Sequence, residues 1–183
     1  MRAQPWGRRW VREIAWFQAL LNGVRVWPLL PEPALQELQF LMTETIDLGS
    51  LTLKFLQSKD TTDGSADVFE MTLLPNARMP IPHYHDRWDE TVYGLAGTTT
   101  FRVDGKDIDI GAGETVFIKR GVVHAFTNRT ADAAKCLCLL SPGVLGPQYF
   151  RDMAKLLAGG APDPAKMKET MLRYGLIPVP PSA

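Results

Sequence analysis

The sequence predicts an all-β protein, a small antiparallel β-barrel or jelly roll. Short runs of alternating apolar and polar residues recur at a spacing of roughly eight to twelve residues. Gly, Asp-Gly and Pro turn signals separate them, and no strand–helix alternation appears of the kind that builds a parallel sheet. Residues 42–145 are expected to form the barrel, 146–183 C-terminal helices and a tail, and 1–41 an N-terminal extension.

The extension differs in composition from the rest. Residues 1–41 hold four of the five tryptophans (Trp6, Trp10, Trp16, Trp27) and five arginines, with no lysine, aspartate, histidine, serine, threonine or tyrosine. "GRRWVREIAWFQALL" places paired arginines before an apolar stretch, as an export signal does. Glu13 and Gln18 interrupt that stretch, however, and no small-residue cleavage site follows. Two other readings stay open: an amphipathic helix over 8–21 that packs on the barrel or a partner, and an upstream stretch that precedes a natural start at Met42.

The strands follow in order. "LTLKFLQ" (51–57) precedes a polar loop, and "VFEMTLLP" (68–75) ends at a proline. "ARMPIP" leads into "HYHDRWDE", after which "TVYGLAG" (91–97) and "TTTFRVDG" (98–105) come in close succession. Asp104-Gly105 is a hairpin dipeptide, because glycine accepts the positive φ a tight turn needs. "KDIDIGAGE" turns on Gly111 and Gly113, and "TVFIKRG" (115–121), "VVHAFTN" (122–128) and "AKCLCLLSPG" (134–143) complete the set. Two helices are expected after them. One covers 146–160, with Phe150, Met153, Leu156 and Leu157 on its apolar face; the other starts at Asp163 as N-cap with Pro164 at its first position and ends at Gly175. Both are expected to be packing or dimer elements. No internal repeat is present, so one barrel is expected.

Bulk properties narrow the function. The 183 residues carry 20 basic and 20 acidic side chains, a balance that gives no support for nucleic-acid binding or polybasic attachment to a membrane. No run approaches the roughly 20 apolar residues of a spanning helix. Cys136 and Cys138 are too few and too close for a disulfide framework, so a reducing, cytoplasmic setting is expected. They alternate with Leu137 and Leu139 in an apolar strand and are read as small hydrophobes rather than a metal pair.

The chemistry lies in "HYHDRWDE". Residues i and i+2 of a strand share a face, so His83 and His85 present two imidazoles side by side. Glu90 follows a short polar bend that lets the next strand return beside the first. The third and last histidine, His124, lies in a strand that a barrel can place next to them. Imidazole nitrogens and a carboxylate suit one divalent transition metal, Fe, Mn, Ni, Cu or Zn, without choosing among them.

The stretch "PIPHYHDRWDETVYGLAG" resembles the first motif of the cupin superfamily: His-x-His, four residues, Glu, six residues, Gly. His83, His85, Glu90 and Gly97 fill those places. "GETVFIKRGVVHAFTN" resembles the second motif, with Gly113, Gly121, His124 and Asn128 in register and Lys119 where the family usually has proline. The resemblance covers about residues 65–142 and is greatest to single-domain, quercetin-dioxygenase-like bacterial proteins. It implies a barrel holding one metal ion through His83, His85, Glu90 and His124. It also implies an oxygen-dependent enzyme acting on a small organic molecule, with Glu90 as ligand or as base. A redox-silent isomerase or lyase and a non-catalytic binding module are the alternatives.

Of the aromatics, Phe126 shares a face with His124 and is the leading candidate for a pocket wall, with Phe117, Phe101 and Trp88 beside it. Asn128 is expected to brace the turn of the second motif, and Gly97, Gly113 and Gly121 to form turns. Lys119 is a candidate cation near the barrel mouth. A homodimer is expected.

Overall fold

In each expected strand, alternating side chains turn to one buried face, and two antiparallel sheets meet on those faces. The structure, a computed structural model, describes residues 43–78, 81–158 and 163–180. The N-terminal extension and its helix over 8–21 lie outside the described residues.

The elements run β1 (Glu44–Asp47), β2 (Leu51–Gln57), β3 (Asp67–Leu73), β4 (His83–His85), β5 (Asp89–Ala96) and β6 (Thr99–Val103). After them come β7 (Lys106–Ile110), β8 (Thr115–Ile118), β9 (His124–Thr127) and β10 (Ala134–Ser141). Helices α1 (Gly146–Ala158) and α2 (Pro164–Tyr174) and a last strand, β11 (Leu176–Pro178), follow. One sheet has the order β1-β2-β3-β10-β5-β8, the other β11-β4-β9-β6-β7. Every recorded pair is antiparallel.

Alternation places the core. Asp67, Phe69, Met71 and Leu73 of β3 point inward, and β10 offers Ala134, Cys136, Cys138 and Leu140 to the same interior. Both cysteines are free and buried, and Cys136 Sγ lies 3.3 Å from Thr99 Oγ1. The β6–β7 hairpin turns on Asp104 and Gly105 with φ of 48° and 76°, the pair of positive angles a two-residue turn demands. Gly97 has φ 62°, and a Cβ there would sit 2.6 Å from the Ala133 carbonyl oxygen. That close approach of backbones admits only glycine.

The helices are tied to the barrel by specific contacts. Asp67, fully buried, accepts hydrogen bonds from the backbone N–H of Lys59 (2.6 Å), Leu145 (3.1 Å) and Gly146 (3.1 Å), which fixes where α1 begins. Phe150 then docks against Phe55 and Phe69, ring centroids 5.7 and 5.6 Å away. Each such pair contributes about 0.5–1.5 kcal/mol beyond the area it buries. Helix α2 has the expected ends: Asp163 accepts from Ala165 N at 2.9 Å, Pro164 opens the helix, and Gly175 closes it at φ 85°. The chain then adds β11 to the edge of β4, pairing Leu176 with His85 and Pro178 with His83. The tail is thus part of the sheet that carries the histidines.

Candidate metal centre

Three short strands bring the site together. Both histidines of β4 point inward while Tyr84 between them is only partly buried, and His83 is the Cα partner of His124 on β9. Glu90 comes from β5 in the opposite sheet, between Leu140 of β10 and Ile118 of β8. The site is therefore built between the sheets, three imidazoles on one wall and a carboxylate on the other.

The ligand atoms of His83, His85 and His124 all lie within 4.8 Å of one another. Their side chains are buried, as is that of Glu90. Glu90 Oε2 is 3.5 Å from His124 Nε2 and 3.8 Å from His85 Nδ1. Two rings are held alike: His83 Nδ1 is 3.2 Å from the Ile81 carbonyl and His124 Nδ1 3.0 Å from that of Val122. A carbonyl only accepts, so each Nδ1 carries a proton and the two Nε2 atoms are turned toward the interior, that of His124 facing Glu90. His85 stacks on Trp88, centroids 4.5 Å apart and planes 21° from parallel.

Burial keeps His83 and His85 uncharged, and His124 differs from both. Burial, then the proximity of His124, pushes the His83 pKa down to about 3. Burial, with His124 and His83 nearby, pushes His85 down as well. Burial also pulls on His124, but the hydrogen bond and charge of Glu90 outweigh it and the net shift is upward. Burial and then Glu90's negative charge raise the Cys138 thiol well above its ordinary value, so this cysteine stays protonated. Three buried imidazoles, two of them with Nδ1 committed to a carbonyl, beside a carboxylate form a donor set that fits a divalent transition metal.

Two contacts lock the loops that carry the ligands. Arg120 binds Asp89 through Nη2 (2.8 Å) and Nε (3.1 Å), and Gly121 N donates to the His85 carbonyl at 2.8 Å. These join the bend after β4 to the turn before β9. Asn128 braces the far end: its side-chain nitrogen donates to the carbonyls of Leu73, Leu74 and Asp132, and its oxygen accepts from Thr130. Gly113 and Gly121 take φ of 86° and 81° in their turns.

The ligands face a cavity with about 50 Å³ of free room, walled by Leu53, Phe69, Met71, Phe126, Tyr149 and Phe150 among others. Three expectations for the wall are corrected here. Phe117 is 61% exposed on the outer face of its sheet, because Val116 and Ile118 take the inward positions of β8. Phe101 is fully buried but packs behind Phe126, centroids 5.7 Å apart, and does not reach the cavity. Trp88 stacks on His85 and lines no part of the cavity, with its indole N–H buried and unpartnered among the described residues. Lys119 is exposed and no part of the wall. Sequence reasoning missed Tyr149 and Phe150, since it took the helices as packing elements. Their neighbour Met153, i+3 from Phe150, was the available signal for an inward helix face.

Residues 69–140 match the family model described as Cupin domain. The chain is 29% identical over 105 residues to quercetin 2,3-dioxygenase of Bacillus subtilis, across 57% of this chain and 30% of that protein. It is 31% identical over 80 residues to an oxalate-binding protein of Thermotoga maritima, across 44% of this chain and 66% of that protein. The chain thus spans less than a third of the first relative's length. The crystal structure of a predicted oxalate decarboxylase from Thermotoga maritima superposes with a TM-score of 0.50 at 26% identity, covering 55% of this chain and 92% of that one.

Proposed function

Starting from a chain that belongs to the cupin superfamily, we propose that it is a metal-dependent enzyme, dioxygenase-like, acting on a small organic molecule at a site formed by His83, His85, His124 and Glu90. One observation carries the reading: three buried histidines converge with Glu90 on a cavity whose other walls are almost wholly apolar. One divalent ion, Fe, Mn, Ni, Cu or Zn, would be held by one ring nitrogen from each of the three histidines with Glu90 completing the set, and would supply Lewis acidity and, if redox-active, electron transfer to dioxygen.

The chain's own residues do the rest. Carbonyls of Ile81 and Val122 orient two of the ligands, and the Asp89–Arg120 pair keeps the two ligand loops in register. Phe126, Phe150 and Leu53 exclude water, which strengthens the interaction of Glu90 with any acidic proton of the substrate. Glu90 stands on the wall opposite the histidines, where it accepts a proton from a phenol or enol. An exposed apolar strip on the outer face of the six-stranded sheet, Tyr93, Phe117 and Leu139, supports a homodimer through that face.

The small inner cavity favours a second reading, a binding module for a small anion, in line with the relative named for binding oxalate. Anaerobic loading with each metal, followed by oxygen uptake with phenolic and diketone substrates, tests the enzyme. Turnover with at least one metal is expected. Tight oxalate binding without turnover on the whole panel would replace the enzyme with the module.

A further inference from the structure

A second chamber lies beside the metal cavity and is larger, with about 180 Å³ of free room against about 50 Å³. It opens between α1, α2 and the loops around Leu48 and Arg78, and shares Leu51, Tyr149 and Phe150 with the inner cavity as common walls. Its lining is dominated by aliphatic and thioether side chains, including Met153, Leu157, Met167 and Met171. One lining residue is charged, Arg78, and none is acidic. Arg78 is exposed, enters no ion pair among the described residues, and is anchored by a backbone bridge to Thr127.

We propose that this chamber binds a free amphipathic monocarboxylate, its alkyl or arylalkyl body between α1 and α2 and its carboxylate on Arg78. The apolar lining rewards burial of a hydrocarbon body, and three flexible methionines let it fit bodies of different shape. Among the described lining residues Arg78 is the one cation and none is acidic, which selects a single negative charge, and the guanidinium fork matches a carboxylate. Because Tyr149 and Phe150 wall both cavities, an occupant of the outer chamber bears directly on the volume available beside the histidines.

The test is calorimetric titration of the full chain, as purified and again after chelation, with octanoate and its neutral twin octanamide. Saturable octanoate binding is expected in both preparations, roughly three- to tenfold tighter than octanamide. Arg78→Gln should erase that preference, and Leu157→Trp should weaken both ligands by filling the chamber. No saturable binding, equal affinities in the native chain, or an Arg78→Gln variant that keeps the preference would overturn the proposal. So would octanoate binding that vanishes on chelation, since the carboxylate would then sit on the metal. The chelated arm separates this inference from the metal reading, because failure there leaves the histidine site untouched.

Discussion

His83 and His124 are Cα partners across β4 and β9, their rings 4.6 Å apart, and each donates Nδ1–H to the carbonyl of the residue two before it. The same device on two strands aims two Nε2 atoms into one space. Replacing either ring removes a donor without breaking a strand. His83→Ala and His124→Ala are each expected to lower metal affinity by at least 10- to 100-fold, the loss seen even for outer-shell partners, while the far-UV spectrum is unchanged. Metal per chain by elemental analysis checks this, and full retention in both variants would remove the ligand assignment.

The metal-free protein should lose stability in mild acid. His83 is depressed from 6.5 to about 3, and His85 is depressed as well. Between those values the unfolded chain binds protons that the folded chain refuses, so stability is full above pH 6.5 and falls as pH drops toward about 3. His124, shifted upward, acts in the opposite sense and offsets part of the loss. Urea midpoints measured across that range on chelated protein test the sign; a midpoint that rises on acidification would contradict it.

Asp67 gathers three backbone N–H groups at the start of α1. Asp67→Ala leaves them buried without an acceptor, at a cost on the order of 3 kcal/mol. Hydrogen exchange should show the first turn of α1 opening, and with it the wall formed by Tyr149 and Phe150. Protection unchanged from the parent chain would show that the helix needs no such anchor.

Gly97→Ala meets two obstacles, φ of 62° and a Cβ 2.6 Å from a carbonyl oxygen. A loss of about 2–4 kcal/mol in chemical denaturation is expected. Gly105, also at positive φ, has nothing within 4 Å of its Cβ, so Gly105→Ala should cost less. Equal losses would make φ, and not the close approach, the controlling factor.

Phe117→Glu places a charge in the exposed strip of Tyr93, Phe117 and Leu139. If that face joins two copies, light scattering should show a dimer for the parent and a monomer for the variant. A parent that is monomeric at all concentrations would end the reading.

Much of this was legible in the residues. Alternation and turn chemistry marked β2 to its ends and placed β3, β5, β6 and β10 within a residue or two, because one face of each is buried and one is not. The histidine pair was legible from its two-residue spacing. Glu90 was expected on a strand returning beside β4, but β5 crosses to the opposite sheet and pairs Glu90 with Leu140, a contact across fifty residues that no local signal carries. β1 and β11 escaped notice: the first has four residues, and the second contains Pro178, tolerated because β11 lies at a sheet edge. Phe117 was misplaced because "TVFI" is apolar on both faces, and nothing local says which face is inside.

The seating of β11 against β4 has a consequence for synthesis on the ribosome. All three histidines have emerged once His124 has, but the outer edge of β4 stays bare until Leu176–Pro178 arrive. In that interval the nascent chain carries an unpaired edge next to its own ligands, open to an ion and equally open to a strand from another chain. A stalled or shortened product ending before Leu176 would carry the complete ligand set and lack its seal, and would be an aggregation hazard rather than a small active barrel.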